Sequence, residues 1–247
     1  GPAGRNAAVQ FHTVDDADGT VAAADVAWAV EATAHHHPRP SVVCIENTHM
    51  PANGAPWALG RLREVAAAAA AGGLAVHLDG ARLFNTEVAT RTPAATWAAP
   101  ASTVMCCLSK GLCAPVGSLL AGPGDLIEAA RGERQRMGGG MRQAGVLAAA
   151  GLVALTMVDR LADDHRRARR LAEVVAERWP GSGLDPATVH TNVVAFSHPA
   201  PLALLEHLAD DGVLAGTIAP GVVRLVTHHD VDDDALGRAV KALGDAS

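Results

Sequence analysis

An α/β architecture with a largely parallel sheet, followed by a small α+β unit, is what this sequence predicts. Three observations carry it. Short apolar runs alternate with longer amphipathic stretches from Ser41 to about Asp125. The tract from Met141 to Trp179 then reads as helix almost throughout, in two pieces. Beyond Pro180-Gly181 the pattern becomes strand, helix, strand, strand, helix. Strands alternating with helices indicate a parallel sheet with helical crossovers, and the closing segment suits a separate α+β unit. The expected division is a large domain over residues 1–155 and a small one over residues 156–247.

The elements follow in order. Arg5–Val14 reads as a linking strand and Val21–Thr33 as a helix. Ser41–Ile45 (SVVCI) is a short apolar run of buried-strand type. Pro56–Ala71 is a Pro-led, Ala-rich helix stopped by Gly72-Gly73. Leu74–Leu78 is the next strand and Leu83–Ala89 a short helix. Thr103–Leu108 and Val116–Ala121 are strands too close in sequence for a helical crossover, so they should pair antiparallel. Asp125 opens another helix. In the closing unit, Asn192–Phe196, Val213–Ile218 and Val222–Val226 read as strands. Pro201–Asp210 and a segment from Asp232 read as helices. The charged stretch Asp159–Arg170 reads as a solvated helix face.

Composition excludes several classes. Of 247 residues, 49% are hydrophobic and 19% charged, a globular balance. Aromatic content is 3%, with no Tyr, and the net charge is −6, so no nucleic-acid partner is expected. The longest apolar stretch, Ala144–Val158, is shorter than the ~20 residues that span a bilayer. No membrane partner is expected, and no secretion signal opens the chain, so the expected location is cytoplasmic. Cys44, Cys106, Cys107 and Cys113 lack disulfide spacing and read as buried free thiols. The His runs 35–37 and 228–229 lack metal-ligand spacing, so no metal site is expected.

Four clusters carry chemistry. Glu46-Asn47-Thr48-His49 follows a strand, where polar residues usually form a turn. His77-Leu78-Asp79-Gly80-Ala81-Arg82 places an acid and a base at the exit of another strand, the edge where α/β sheets bind ligands. Lys110 follows the apolar run Val104–Leu108 and precedes Gly111. A Lys desolvated at the end of a buried strand is a good Schiff-base nucleophile. Gly138-Gly139-Gly140 opens a helix and offers either an anion site or a hinge. An Asp and a Lys presented from strand ends suit pyridoxal 5'-phosphate, the Lys taking the aldehyde and the Asp keeping the ring nitrogen protonated.

Seven motifs then stand in order: ENTH at 46–49, HLDGARLFN at 77–85, LSKGL at 108–112, APVGS at 114–118, GGGMRQAG at 138–145, DRLADDH at 159–165 and RLVTHHDV at 224–231. On these the chain resembles the low-specificity L-threonine aldolases of the β-eliminating lyase family. The resemblance implies a pyridoxal-phosphate-dependent transferase-like large domain of the aspartate aminotransferase fold, N-terminally incomplete, with a small C-terminal α+β domain. It implies cleavage of L-threonine or L-allo-threonine to glycine and an aldehyde by a homodimer or homotetramer. It gives Lys110 the Schiff base, Asp79 the pyridinium nitrogen, and Arg82 and Arg224 the substrate carboxylate. His36 would be the catalytic base, and Ser109 and Arg142 would contact the phosphate. Cys113 stands where the family usually has Gly. Residues 1–40 hold no counterpart of the family's opening segment, which supplies a phosphate-binding turn. On that reading the chain alone should hold cofactor poorly and be a weak enzyme. The alternatives are another lyase or aminotransferase of this fold, or a non-catalytic subunit acting by association.

Overall fold

Burial that alternates along two neighbouring strands decides the first layer. The computed structural model describes residues 2–16, 18–32 and 35–246. Strands β1 (Val42–Glu46), β2 (Ala75–Gly80), β3 (Thr103–Cys107) and β4 (Ser118–Ala121) form one sheet in that order. The first three are parallel and β4 runs antiparallel to β3. Helix α1 (Pro2–Ala7) precedes them, α2 (Ala23–Glu31) leads to β1, and α3 (Leu59–Ala71) joins β1 to β2. Helices α4 (Leu83–Thr90) and α5 (Ala94–Ala98) lie between β2 and β3. Ile45, Val76 and Leu78 bury one sheet face against Val26, Leu62, Val65 and Ala69 of α2 and α3.

Two helices, α6 (Gly124–Arg136) and α7 (Gly145–Leu155), lead to α8 (Leu161–Arg178). A second, antiparallel sheet of order β5-β7-β6 follows, from β5 (Val193–Ser197), β6 (Gly216–Ala219) and β7 (Val222–Val226). Helices α9 (Pro201–Asp210) and α10 (Asp233–Asp245) complete it. Asp232 caps α10 by accepting from the Ala235 N–H at 2.8 Å. Its core, Leu171, Val175, Val194, Phe196, Leu208, Val223 and Leu243 among others, draws only on residues from 168 onward.

Five expectations need correction. Arg5–Val14 is not a strand: α1 occupies its start and Val9 and Phe11 are exposed, with no sheet neighbour. The helix expected from Pro56 begins at Leu59. Trp57 is tied instead to the end of β1, its N–H donating to Asn47 Oδ1 at 3.2 Å and its indole to the Glu46 carbonyl at 3.0 Å. The four thiols are free, but Cys44 and Cys113 are exposed rather than buried. Finally, the stretch Asp159–Arg170 is not wholly a solvated face, because Asp164 is 0% exposed. The helix expected over Val21–Thr33 runs from Ala23 to Glu31, and Thr33 lies outside the described residues.

Asp164 anchors a polar network that joins the two sheets. Its carboxylate accepts from Arg160 Nη1 at 2.8 Å and Nη2 at 3.1 Å. Its carbonyl accepts from Thr227 Oγ1 at 2.6 Å. Asn192 donates to the Thr227 carbonyl at 2.9 Å and takes an Asn85 Nδ2 proton at 3.3 Å. Asn85 also lies 3.0 Å from His165 Nε2. Burial pushes His165 down to about 4, although Asp164's charge opposes this. The ring is therefore neutral, and Nε2 accepts from the Asn85 amide.

This burial sets a pH dependence. The unfolded chain takes up the His165 proton near pH 6.5, whereas the folded chain takes it only near 4. The stabilisation is therefore complete above pH 6.5 and is lost as pH falls toward 4, a change of about 3 kcal/mol. Urea unfolding across this window should show that slope in the parent chain and a flatter one in His165→Asn. Identical slopes would place His165 in an ordinary, solvated setting.

Candidate functional site

Because strand side chains alternate, the face opposite the apolar core carries Cys44 and Glu46 of β1, His77 and Asp79 of β2, and Thr103 and Met105 of β3. Glu46 stands in register with Asp79, and Asp79 with Met105. Both carboxylates sit where their parallel strands end. Asp79 Oδ1 accepts from the Ala81 N–H at 3.0 Å, which turns the chain into α4. Cys44 lies close enough for Asp79's charge to join burial in pushing its thiol up.

Beyond β3 the chain forms a closed loop. Leu108 N–H donates to the Gly117 carbonyl at 2.9 Å, Ala114 N–H to Leu108 at 3.0 Å, and Cys113 N–H to Lys110 at 2.9 Å. Leu108, Leu112 and Ala114 sink into a small core with Ala154 and Leu161. Ser109 and Lys110 are exposed, and Ser109 Oγ donates to the Gly117 carbonyl at 3.4 Å. The expected desolvation of Lys110 is therefore corrected: the apolar run before it is only half-buried, and its amine meets solvent. Gly111 fits tightly, since a Cβ there would lie 2.7 Å from Leu161 Cδ2.

Two arginines from different sheets converge on the same edge. Arg82 begins α4 directly after β2, and Arg224 lies in the middle of β7. Burial lowers Arg82 from its ordinary value; Glu46 opposes that, Arg224 adds to it, and Cys107 and Asp79 oppose it in turn. Glu46, Arg224 and Asp79 thus all lie within charge range of Arg82. Arg224 stands opposite Ala195 on β5 and Gly216 on β6, small neighbours that leave its side chain room. Its Nη1 is 3.9 Å from Met50 Sδ, and its Nε is buried without a partner.

The loop after β1 holds the two sheets in this relation. Asn53 Oδ1 accepts from the Ala195 N–H at 2.5 Å, and Thr191 Oγ1 donates to the Gly54 carbonyl at 2.7 Å. Gly54 has φ +62, and a Cβ would meet Thr191 Oγ1 at 2.5 Å, so glycine alone fits.

Of the residues singled out from sequence, Asp79, Arg82, Arg224 and the Ser109-Lys110 pair share this edge. His36 lies in an exposed turn before β1, and among the described residues no hydrogen bond or ion pair ties it to this edge. Arg142 is exposed in the turn between α6 and α7. Glu46 is the residue sequence reasoning undervalued; its register with Asp79 follows from two strands ending together. His49 Nε2, 3.9 Å from Glu46 and 3.4 Å from Asp16, joins it with a buried, unpartnered Nδ1. A cleft of about 510 Å³ along α8 lies elsewhere, lined by His165, Arg166, Arg170 and Glu173. Its Arg166 and Arg170 are already paired with Asp233 and Glu173.

Residues 1–198 match the family model for beta-eliminating lyases. The chain is 39% identical over 223 residues to the low specificity L-threonine aldolase of Escherichia coli K12, covering 89% of this chain and 64% of that protein. It is 37% identical over 201 residues to low-specificity L-threonine aldolase 1 of Arabidopsis thaliana, covering 79% of this chain and 56% of that protein. It therefore spans a little over half to under two thirds of these relatives' lengths. Its fold is similar to that of Leishmania major threonine aldolase, with a TM-score of 0.76 at 20% identity over 95% of this chain and 69% of that one. Sphingomonas wittichii serine palmitoyltransferase is similar too, with a TM-score of 0.70 at 18% identity over 91% of this chain and 58% of that one.

The fit around Gly111 gives a direct check. Leu161 is 0% exposed and cannot swing away. Gly111→Ala should lower stability by about 1–3 kcal/mol, read as a lower urea midpoint. An unchanged midpoint would show that the loop can lift without loss.

Proposed function

The chain belongs to the beta-eliminating lyase family, and from that premise we propose that its site serves a pyridoxal-5'-phosphate-dependent carbon–carbon lyase. In this reading the enzyme cleaves L-threonine and L-allo-threonine to glycine and an aldehyde. The observation that carries it is the placing of Arg82 three residues after Asp79 at the exit of β2, within charge range of Arg224, whose Nη1 lies 3.9 Å from Met50 in the loop after β1. Two like charges brought together with a buried, unpartnered Nε favour an anion between them. A planar, bidentate donor suits a carboxylate. A carboxylate held beside an Asp and an accessible amine describes a site for an amino acid. The relatives' names supply the substrate class.

The donor set fits the cofactor. Lys110 offers a primary amine, and Asp79 a carboxylate on the open sheet face one strand away. The Ser109 hydroxyl and the Arg142 guanidinium are exposed and suit a phosphate. When bound, pyridoxal phosphate supplies an aldehyde for an amine and a ring that takes up the electron pair released at Cα. Asp79 holds a proton on the ring nitrogen, which keeps that ring electron-poor. Arg82 and Arg224 orient the substrate carboxylate and so fix which Cα bond faces the ring. Glu46 balances the charge of Arg82 from the neighbouring strand.

The rest of the assembly follows the same reading. A unit over 1–155 would carry Lys110 and Asp79, and a unit over 156–247 would carry Arg224. The separate core drawn from residue 168 onward supports that division. No helix among the described residues is long and apolar enough to cross a membrane. We place the enzyme in the cytoplasm as a homo-oligomer; the exposed Val146, Leu152 and Val153 of α7 support association.

Two measurements test this. Borohydride reduction in the presence of pyridoxal phosphate should attach the label to Lys110; Lys241 is the other lysine in the chain, and a label there would sink the assignment. In an active preparation, Arg224→Lys should raise KM for threonine about tenfold or more while the cofactor absorbance persists. Parallel loss of cofactor and substrate binding would make Arg224 a structural residue instead.

A further inference from the structure

Among the described residues the Lys110 loop carries no ion pair of its own, yet it is fixed from outside. Arg160 Nη2 donates to the Gly111 carbonyl at 2.6 Å, one residue from Lys110. The same guanidinium is gripped by both oxygens of Asp164. Asp164 is 0% exposed, and its own carbonyl takes the Thr227 hydroxyl proton at 2.6 Å. Thr227 directly follows β7, the strand that presents Arg224. The contacts run without a break from the carboxylate-binding arginine to the lysine loop.

We propose that Arg160 and Asp164 form a positioning device that sets Lys110 relative to Arg224, so that one framework fixes both the amine and the carboxylate anchor. The argument rests on reading Lys110 as the lysine that takes the cofactor. Three features make the device specific rather than a general strut. A guanidinium can serve a carboxylate with two N–H groups and still offer a third contact, which an ammonium cannot do in fixed geometry. The acceptor is a loop carbonyl 49 residues from Arg160 in sequence, not part of its own helix. And Leu161, the next residue, presses on Gly111 from the same side, so α8 holds the loop by a polar and an apolar contact together. Removing the Arg160 head group leaves the apolar contact, so the loop should loosen without the fold coming apart.

The test uses the full chain and its second lysine as an internal reference. Arg160→Met keeps the flexible apolar stem and removes the donors. Hydrogen exchange read by mass spectrometry should become about tenfold faster or more in the peptide over Leu108–Ala114, with peptides over β5 and β7 unchanged. Limited acetylation should change the Lys110-to-Lys241 labelling ratio by about threefold or more in the same variant, because only Lys110 sits on the freed loop. Asp164→Asn, which keeps the shape and weakens the grip on Arg160, should give the same pattern to a smaller degree. Unchanged loop exchange with an intact fold would overturn the proposal. So would uniform acceleration across all peptides in both variants, which would make the pair a general strut. If the loop loosens as stated but borohydride labels Lys241, the positioning device stands and the Schiff-base reading of Lys110 falls.

Discussion

Side chains alternate along a strand, so burying Ile45, Val76 and Leu78 under α2 and α3 forces Glu46, His77 and Asp79 to the opposite face. That parity constrains everything else at the site. A shift of one residue in β2 would bury Asp79 among Leu62 and Val65 and expose Leu78, a loss on both counts. The register of β1 against β2 then fixes Glu46 beside Asp79, and the exit of β2 into α4 fixes Arg82 beyond both. The open face is thus a by-product of the core.

Charge completes what parity begins. Arg82 is partly desolvated and near a second guanidinium, two effects that each disfavour its cation. Glu46 and Asp79 offset this, but both carboxylates have other neighbours: Glu46 Oε2 lies 3.9 Å from His49 Nε2, and Asp79 accepts from the Ala81 N–H. The structure tolerates the crowding because Arg224 comes from a separate sheet with its own core. The cost of bringing two cations together falls on the interface between the sheets, where an anion can relieve it.

Most of the elements were legible because their signals are local. Strand–helix alternation, the Gly72-Gly73 stop, Pro201 and the Asp232 cap all act within a few residues of where they stand. The antiparallel pairing of β3 with β4 followed from the short spacing alone. What was not legible is tertiary. Trp57 delays α3 because its partners, Asn47 and Glu46, lie ten and eleven residues back. Asp164 looked like one charge in a solvated run, and its i,i+4 spacing from Arg160 fits a surface pair equally well. Only the Gly111 carbonyl and Thr227, from distant segments, reveal why it is buried. Among the residues singled out for the site, Asp79, Arg82 and Lys110 stood out by following apolar runs at strand exits, whereas Arg224 came from the resemblance, which periodicity could not have supplied. His36 came from the same source, and the three-residue His run has no local signal that fixes which end of the sheet it faces.

The same loop that carries Lys110 rests on α7, and α7 has a face in water that its composition does not suit. Gly151 and Ala154 turn toward the loop, where a Cβ on Gly151 would lie 3.0 Å from Leu108 Cδ1. Val146, Leu152 and Val153, on its other sides, are 72%, 69% and 63% exposed. A helix apolar all round is normally buried all round. Covering α7 would stiffen its inner side as well, because the small residues there leave little freedom once the outer side is fixed. Arg160 grips the loop from the second sheet's side, and α7 supports it from beneath.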